Sequence, residues 1–198
     1  MNTLVVGGGS CVWEDLEQVP PGWWDQVVVV NDVGVWWDLP IDHWVSVHAE
    51  KFSGIGLRGD WVAQRRANGY PDAERIWAPQ GKLRDRRLWP ECTDALDAAW
   101  SQGGSSGLFG VRVALHTGAS RVLLCGVPLQ RTPHFAESRN HAGKGAWSSA
   151  EAHRKPWKAH AEILRENVRS MSGWTRDLLG DGREWILKRQ PWRSSPMP

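Results

Sequence analysis

The stretch "GSSGLFGVRVALHTGASRVLLCGVPL", residues 104–129, decides the fold predicted for this chain. It begins in a glycine–serine loop, continues with helical spacing and ends in an apolar run typical of a buried strand. Small residues recur along the helical part at three- and four-residue spacing, at Gly107, Val111, Ala114 and Gly118. Such a stripe allows a helix to lie close against a sheet. The stretch therefore predicts a loop, a helix and a strand of an α/β protein.

Short apolar runs elsewhere in the chain indicate further strands buried in a parallel sheet. The clearest is "QVVVVND" at 26–32, where four consecutive valines precede an Asn–Asp pair. The other predicted strands are "TLVVGGGS" at 3–10, "HWVSVHAE" at 43–50, "RIWAP" at 75–79 and "VRSMSG" at 168–173. Helical spacing predicts helices over 11–19, 60–68, 90–102 and 152–167.

Strands that alternate with helices predict an α/β, Rossmann-like fold, in which a mostly parallel sheet carries helices on both faces. The polar stretch 131–149 is rich in Gly, Ser, His and Arg and is predicted to be a small lid loop. We expect one nucleotide-binding domain over residues 1–190 and a disordered tail over 191–198.

Composition and charge narrow the class of protein. The 198 residues are 41% hydrophobic and 23% charged, as expected of a soluble globular domain. The net charge of +2 argues against a nucleic acid as the main partner. The 3 cysteines form no CxxC pair and predict neither a zinc site nor a disulfide framework. Neither a signal-peptide pattern nor an apolar run near the ~20 residues of a membrane span occurs, so we expect a cytoplasmic protein.

Polar or glycine-rich segments follow several of the predicted strands, and ligands of parallel α/β sheets bind beyond those carboxyl ends. Glycines let a backbone approach an anion, and a helix N-terminus offers unpaired N–H groups. Small hydroxyls and Asn or Asp side chains can bind ribose or base. The segments "GGGS", "NDVG" and "GGSSG" together predict a nucleotide site made of Gly8, Gly9, Ser10, Asn31, Asp32, Ser105, Ser106 and Gly107.

Each of these segments also has a purely structural interpretation. The glycine loop can be a tight turn, and a serine of "GGSSG" can be the N-cap of the helix that follows. Asn31 and Asp32 can cap the turn after their strand. A formal GxGxxG match at 54–59 begins about five residues after the preceding predicted strand and lacks an acidic partner downstream, which argues against a dinucleotide loop.

Histidines supply the candidate general base, because an imidazole exchanges a proton near neutral pH. Of the 7 histidines, four lie in the polar loop or in the helix after it: His134, His141, His153 and His160. His153 stands beside two cationic residues, Arg154 and Lys155, a setting suited to a leaving phosphate. The residues alone leave the choice among these histidines open, with a structural role as the alternative for His160 on its helix. No HExxH motif occurs, and no metal site is predicted.

The order of "VVGGGS", "VVVVND", the 104–129 stretch and "VRSMSG" resembles a superfamily with two groups. One group is the metal-independent bacterial sialyltransferases that act on lipooligosaccharides. The other comprises motility accessory factors and hydroxymethylpterin pyrophosphokinases. The resemblance spans most of residues 3–180, and the chain is also similar to short stand-alone members of phage type. It implies that a cytidine nucleotide is held by Gly8, Gly9, Ser10, Asn31, Ser106 and Gly107. It also implies a histidine general base before the last long helix, for which His153 is the nearest positional match and His141 the second candidate.

The chain departs from the pattern of this superfamily at several points. The first loop reads Gly-Gly-Gly-Ser where members usually have Asn-Gly-Pro-Ser or Gly-Pro-Ser. The strand that usually ends in Gly-x-Asp ends here in Gly126-Val127-Pro128. The only tyrosine is Tyr70, so the tyrosines that assist a sialyl phosphate leaving group have no counterpart.

The leading hypothesis is a sialyltransferase-like, metal-independent glycosyltransferase that uses a nucleotide-sugar, requires no cofactor and works with a histidine general base. A pterin-type pyrophosphokinase is the alternative; it needs Mg²⁺, for which Asp32 and Glu50 are the candidate ligands. A third hypothesis is a non-catalytic protein that binds a nucleotide or docks a partner at the same edge of the sheet. Neither a nucleic acid nor a membrane is expected as partner. The sequence does not decide whether the chain forms a homo-oligomer.

Overall fold

The computed structural model of the protein describes residues 1–54, 59–84, 90–100, 105–135 and 150–187. Its centre is a seven-stranded sheet with the order β5-β4-β3-β2-β1-β6-β7, in which every neighbouring pair runs parallel. The strands are β1 (Asn2–Val6), β2 (Gln26–Val30), β3 (His43–Val45), β4 (Arg75–Pro79), β5 (Asp94–Leu96), β6 (Arg121–Cys125) and β7 (Val168–Ser170). The predicted α/β, Rossmann-like fold is confirmed.

Helices cover both faces of this sheet, because successive residues of each strand point to opposite sides. Leu4 and Val6 of β1 belong to one apolar cluster, and Val5 belongs to a second one on the other face. The helices are α1 (Val12–Glu17), α2 (Val33–Trp36), α3 (Trp61–Ala67), α4 (Ser106–His116), α5 (Arg154–Ala159), α6 (Ala161–Asn167), α7 (Gly173–Leu179) and α8 (Arg183–Leu187). Helices α1, α2 and α3 contribute to the first cluster, and α4, α5 and α6 to the second.

Helix α4 packs on β1, β2 and β3, but the glycine that allows the close approach is not one of the four residues of the predicted stripe. The residue that permits the approach is Gly110, where an added Cβ would stand 3.1 Å from Val30 and 3.3 Å from both Val45 and Val5. Gly118 has another role. It follows the helix end with a left-handed φ of 96° and has open space around its Cα.

The strand predicted over 43–50 ends at Val45, and a short 3-10 helix over Ala49–Lys51 follows it. Two of the predicted helices are also wrong in detail. The helix predicted over 90–102 is replaced in its middle by strand β5, because the edge of β4 offers unpaired backbone groups and Thr93 accepts a hydrogen bond from the amide of Ile76 at 2.9 Å. The helix predicted over 152–167 is divided at His160, whose φ of −112° ends α5 and precedes α6. Both outcomes depend on tertiary partners that local periodicity does not contain.

Three predictions lie wholly or largely outside the described residues. The lid loop is described only at 131–135, the tail 191–198 is not described, and His141 falls in the same undescribed part of the loop. Within the described ranges, no helix combines the length and the apolar character that crossing a bilayer requires.

Candidate functional site

A cleft opens where the strand order changes direction. After β1 the chain builds β2 to β5 on one side of that strand, and later adds β6 and β7 on the other side. The connections leave β1 and β6 in opposite directions, and a crevice forms between them at the carboxyl edge. The volume of this cleft is about 620 Å³. Its walls are the loops after β1, β2 and β6, the N-terminus of α4, and the residue before α5.

Most of the residues predicted for the nucleotide site meet in this cleft. Its lining contains Gly8, Gly9, Asn31, Asp32, Ser105, Ser106 and Gly107, together with the predicted base His153. Ser10 is exposed and does not line it. Glu50 also lies outside the lining, where its carboxylate is 3.2 Å from His48.

The glycine loop forms the floor of the cleft with much of its backbone already paired. The amides of Gly7, Gly9 and Ser10 donate to the carbonyls of Cys125, Gly126 and Pro133 at 2.8, 2.8 and 3.1 Å. A Cβ added to Gly7 would stand 2.7 Å from the Gly126 carbonyl oxygen, and one added to Gly9 would stand 2.5 Å from the Pro128 ring. Close packing against the loop after β6 therefore requires these glycines, and a phosphate at this loop has to be held by other groups.

Asn31 presents its amide to the cleft in a defined orientation. Its φ of 55° lies in the left-handed region, which Asn tolerates better than most residues. The side-chain oxygen accepts a hydrogen bond from Ser46 at 2.8 Å, and the backbone carbonyl accepts one from the Trp44 indole at 2.6 Å. Because the oxygen is already used, the Asn31 Nδ2 is the group that can donate to a ligand.

Helix α4 directs its N-terminus into the cleft. Ser105 is the N-cap: its hydroxyl accepts from the amide of Leu108 at 3.3 Å and from the indole of Trp157 at 2.9 Å. The Ser106 hydroxyl accepts from the amide of Val47 at 3.3 Å. Both hydroxyls thus have structural partners, and the N-cap interpretation of Ser105 is confirmed. First-turn amides have no carbonyl partner inside a helix, so this end of an 11-residue helix favours an anion.

The cleft also contains titratable residues that sequence reasoning did not select. His48 and Lys51 line it, and His134 places its Nε2 3.3 Å from Asp32 Oδ1. His134 was one of four histidines noted in the polar region, but nothing local marked it, because its partners are about 100 or more positions away in the chain. His153 also lines the cavity, at the start of α5. The arrangement places three imidazoles, those of His48, His134 and His153, around one ligand-sized cavity.

Beneath the cleft, the buried carboxylate of Asp15 joins α1 to the loop after β6. Its Oδ2 accepts a hydrogen bond from the amide of Gly126 and another from the hydroxyl of Ser172, both at 2.8 Å. Burial raises the pKa of Asp15 above its usual value of 3.8. Gly126 has a left-handed φ of 67° and an added Cβ would stand 2.2 Å from the Gly7 carbonyl oxygen, so this amide sits at the crossing of the two cleft loops.

The raised pKa of Asp15 predicts a pH dependence of stability. A carboxyl that binds its proton more tightly in the folded state contributes stability below its unfolded pKa, and that contribution is lost as pH rises through the folded pKa. We therefore expect the stability advantage of the wild type over Asp15→Asn to fall as pH rises from about 4. Chemical unfolding of both proteins across this pH range measures the difference.

Asp15→Ala is the companion variant, because it leaves the amide of Gly126 buried without its acceptor. We expect it to lose about 1–3 kcal/mol of unfolding free energy near pH 4. This loss should become smaller as pH rises, because the wild type then loses the contribution of its protonated carboxyl. A stability difference between the wild type and Asp15→Asn that stays constant with pH contradicts the assignment of a raised pKa to this carboxyl.

Fold and cleft together define a Rossmann-like α/β domain with a polar cavity at its topological switch point. Solved sialyltransferases share this architecture. The chain is similar to the sialyltransferase CST-II in complex with a trisaccharide acceptor and CMP, with a TM-score of 0.61 and 10% identity over 91% of this chain and 86% of that one.

Two further solved structures agree in fold. CstII from Campylobacter jejuni in complex with the substrate analogue CMP-3FNeuAc has a TM-score of 0.58 and 11% identity, over 91% of this chain and 85% of that one. The monofunctional alpha-2,3-sialyltransferase Cst-I from Campylobacter jejuni has a TM-score of 0.57 and 12% identity, over 96% of this chain and 82% of that one. No family model and no curated protein matches the chain. The predicted resemblance to sialyltransferases is confirmed at the level of the fold.

Proposed function

We propose that this protein is a nucleotide-sugar-dependent glycosyltransferase of the sialyltransferase-like, metal-independent kind. The observation that carries the proposal is that His153 and the N-terminus of α4 line one cavity, in a fold shared with CMP-bound sialyltransferases. A cavity of about 620 Å³ falls in the range that small ligands occupy in proteins.

The donor nucleotide has a defined set of partners in this proposal. Its phosphate lies at the first-turn amides of α4, where the helix dipole favours negative charge. Lys51 lines the same cavity and adds a positive charge. The Nδ2 of Asn31 donates to an acceptor atom of the base or the ribose, since Ser46 already occupies its oxygen. Asn31 therefore helps to select the nucleotide, and the α4 terminus holds its charge.

The chemical step needs one base. Neutral His153 takes the proton of the acceptor hydroxyl as the hydroxyl oxygen forms its bond to the anomeric carbon. The bond between that carbon and the phosphate oxygen breaks, and its electron pair leaves with the nucleotide. Holding both substrates in one cavity lowers the entropic part of the barrier. The backbone position of α5 is stabilised by Arg154, whose Nε donates to the Leu129 carbonyl at 2.9 Å.

A panel of nucleotides tests the binding part of the proposal. We expect CMP to raise the thermal midpoint of the purified protein without Mg²⁺, because a ligand that binds only the folded state stabilises it. UDP, GDP, ADP and ATP, each with and without Mg²⁺, are the comparison set. Stabilisation confined to ATP or GTP with Mg²⁺ indicates the pyrophosphokinase instead. The absence of any shift contradicts the transferase and favours a protein that docks a partner.

Replacement of His153 tests the catalytic part. We expect His153→Ala to lower the rate of CMP release from a CMP-sugar by about 10²–10⁴-fold, the usual contribution of a general base. The CMP-induced rise in midpoint should remain, since the phosphate is held at α4. His160→Ala is the matched control, because that imidazole stacks on Trp100 at 5.0 Å and does not line the cleft. Wild-type turnover in His153→Ala excludes this residue as the base.

A further inference from the structure

His134 is held over the cleft by the glycine loop, and its fixed position is the basis of a second catalytic assignment. The amide of Phe135 donates to the Gly8 carbonyl at 3.0 Å, and residues 9 and 134 form an antiparallel bridge. The ring of Phe135 packs against the His134 imidazole at 4.5 Å and against Trp13 at 6.0 Å. The part of the loop that carries His134 is therefore paired to the floor of the cleft.

Gly8 is shaped to receive this imidazole. A Cβ at position 8 would stand 2.3 Å from Nε2 and 3.0 Å from Cδ2 of His134. The ring therefore covers the surface that a phosphate would need if Gly8 bound it directly. A ligand in the cleft meets the imidazole of His134 above this glycine. Gly8 is thus required by its contact with His134, as Gly7 and Gly9 are required by their contacts with the loop after β6.

Asp32 completes the arrangement. Its Oδ1 is 3.3 Å from His134 Nε2, and about a third of each side chain is exposed, at 34% and 33%. A carboxylate beside an imidazole orients the ring and stabilises the positive charge of its protonated form. The charged or titratable groups that share this cavity are His48 and Lys51 from the segment after β3, and His153 from α5. His134 and His153 both line this cavity, so we expect a substrate bound in it to contact both imidazoles.

We propose that His134, oriented by Asp32, is the general acid of the transfer reaction and protonates the leaving phosphate. As the bond between the anomeric carbon and the phosphate oxygen breaks, the oxygen keeps the electron pair and takes the proton from Nδ1 of His134, the ring nitrogen that does not face Asp32. His153 meanwhile takes the proton of the acceptor hydroxyl. One imidazolium becomes neutral and one neutral imidazole becomes charged, so the site keeps its total charge. This assignment rests on the proposed glycosyltransferase function.

His134→Gln is the decisive variant, since glutamine keeps a polar side chain but does not act as an acid near neutral pH. We expect CMP release from a CMP-sugar to fall about a hundredfold or more, with the CMP-induced thermal shift retained. The wild-type rate should fall at high pH as the acid loses its proton, and His134→Gln should lack this descending limb. The ascending limb, which belongs to His153, should remain in the variant. Asp32→Asn, a change in the positioning residue, should displace the descending limb toward lower pH.

Gly8→Ala gives an independent test, because its methyl group displaces the imidazole without changing any titratable residue. We expect it to reproduce the loss of turnover seen in His134→Gln. Gly81→Ala is the matched control, since nothing lies within 4 Å of a Cβ there. Turnover near the wild-type rate in His134→Gln, or a loss of CMP binding as large as the loss of turnover, overturns the assignment. A wild type that releases no CMP from any CMP-sugar contradicts the proposed function itself, which separates the two failures.

Discussion

Replacement of Arg65 by leucine should lower the unfolding free energy by about 3–5 kcal/mol, because it leaves several buried carbonyls without their hydrogen-bond donor. Arg65 is 1% exposed. Its guanidinium donates to the carbonyls of Pro71 at 2.6 Å, Gly34 at 2.7 Å and Leu39 at 3.0 Å, and also to that of Trp37. The side chain thus joins α3 to α2, to the segment that follows α2 and to the segment that follows α3. Leucine leaves these buried carbonyls without a donor.

Chemical unfolding of the variants checks this expectation. Burial lowers the pKa of the Arg65 guanidinium. Its hydrogen bonds to neutral carbonyls offset the free energy that burying this charge costs. Arg66→Leu is the matched control: the neighbouring guanidinium is exposed and pairs with Asp72 at 2.9 Å on the surface. That variant should unfold near the wild-type midpoint. Equal midpoints for the two leucine variants would falsify the structural role assigned to Arg65.

The second large effect is expected at Trp157, which is fully buried between α5 and the sheet. Trp157→Ala should cost about 3–5 kcal/mol of unfolding free energy, through lost apolar contacts and the cavity left behind. It also removes the hydrogen bond from the indole to the N-cap hydroxyl of Ser105 at 2.9 Å. Because this bond joins α5 to the start of α4, the variant should also bind CMP more weakly than the wild type.

Two companion variants separate these contributions. Trp157→Phe keeps most of the buried area and loses the hydrogen bond, so its loss should be nearer 1 kcal/mol, about the net value of one such bond. Trp36→Ala removes an indole that is 54% exposed and should leave the unfolding midpoint almost unchanged. Unfolding curves in urea, recorded with and without CMP, measure both effects. A Trp157→Ala protein as stable as Trp36→Ala contradicts the packing described for this helix.

The parallel sheet was predictable because its strands are locally marked. The valine run of β2 and the apolar stretch of β6 are buried on both sides, and such strands are continuous in hydrophobicity. Strand β5 was missed for the opposite reason. Its three residues are partly exposed at the edge, and only their pairing with β4 makes them a strand.

The candidate site was predictable in part. Polar residues after buried strands meet at one edge of a parallel sheet, which is why Asn31, Asp32 and the segment before α4 were identified together. The function of each group within that edge was not predictable. Triple glycine suggested an anion cradle, whereas its partners are the loop after β6 and His134.

The order of hydrophobic runs and small residues by itself determined the α/β class of this protein, the close contact of α4 with the sheet and the edge at which polar residues gather. Each of these properties follows from local periodicity and from the geometry of parallel strands. The tertiary structure alone decided that His134 covers Gly8, that Asp32 lies 3.3 Å from this imidazole, and that Arg65 bonds to backbone carbonyls. Those contacts join residues far apart in the chain, and only the packing of the complete fold brings them within bonding distance.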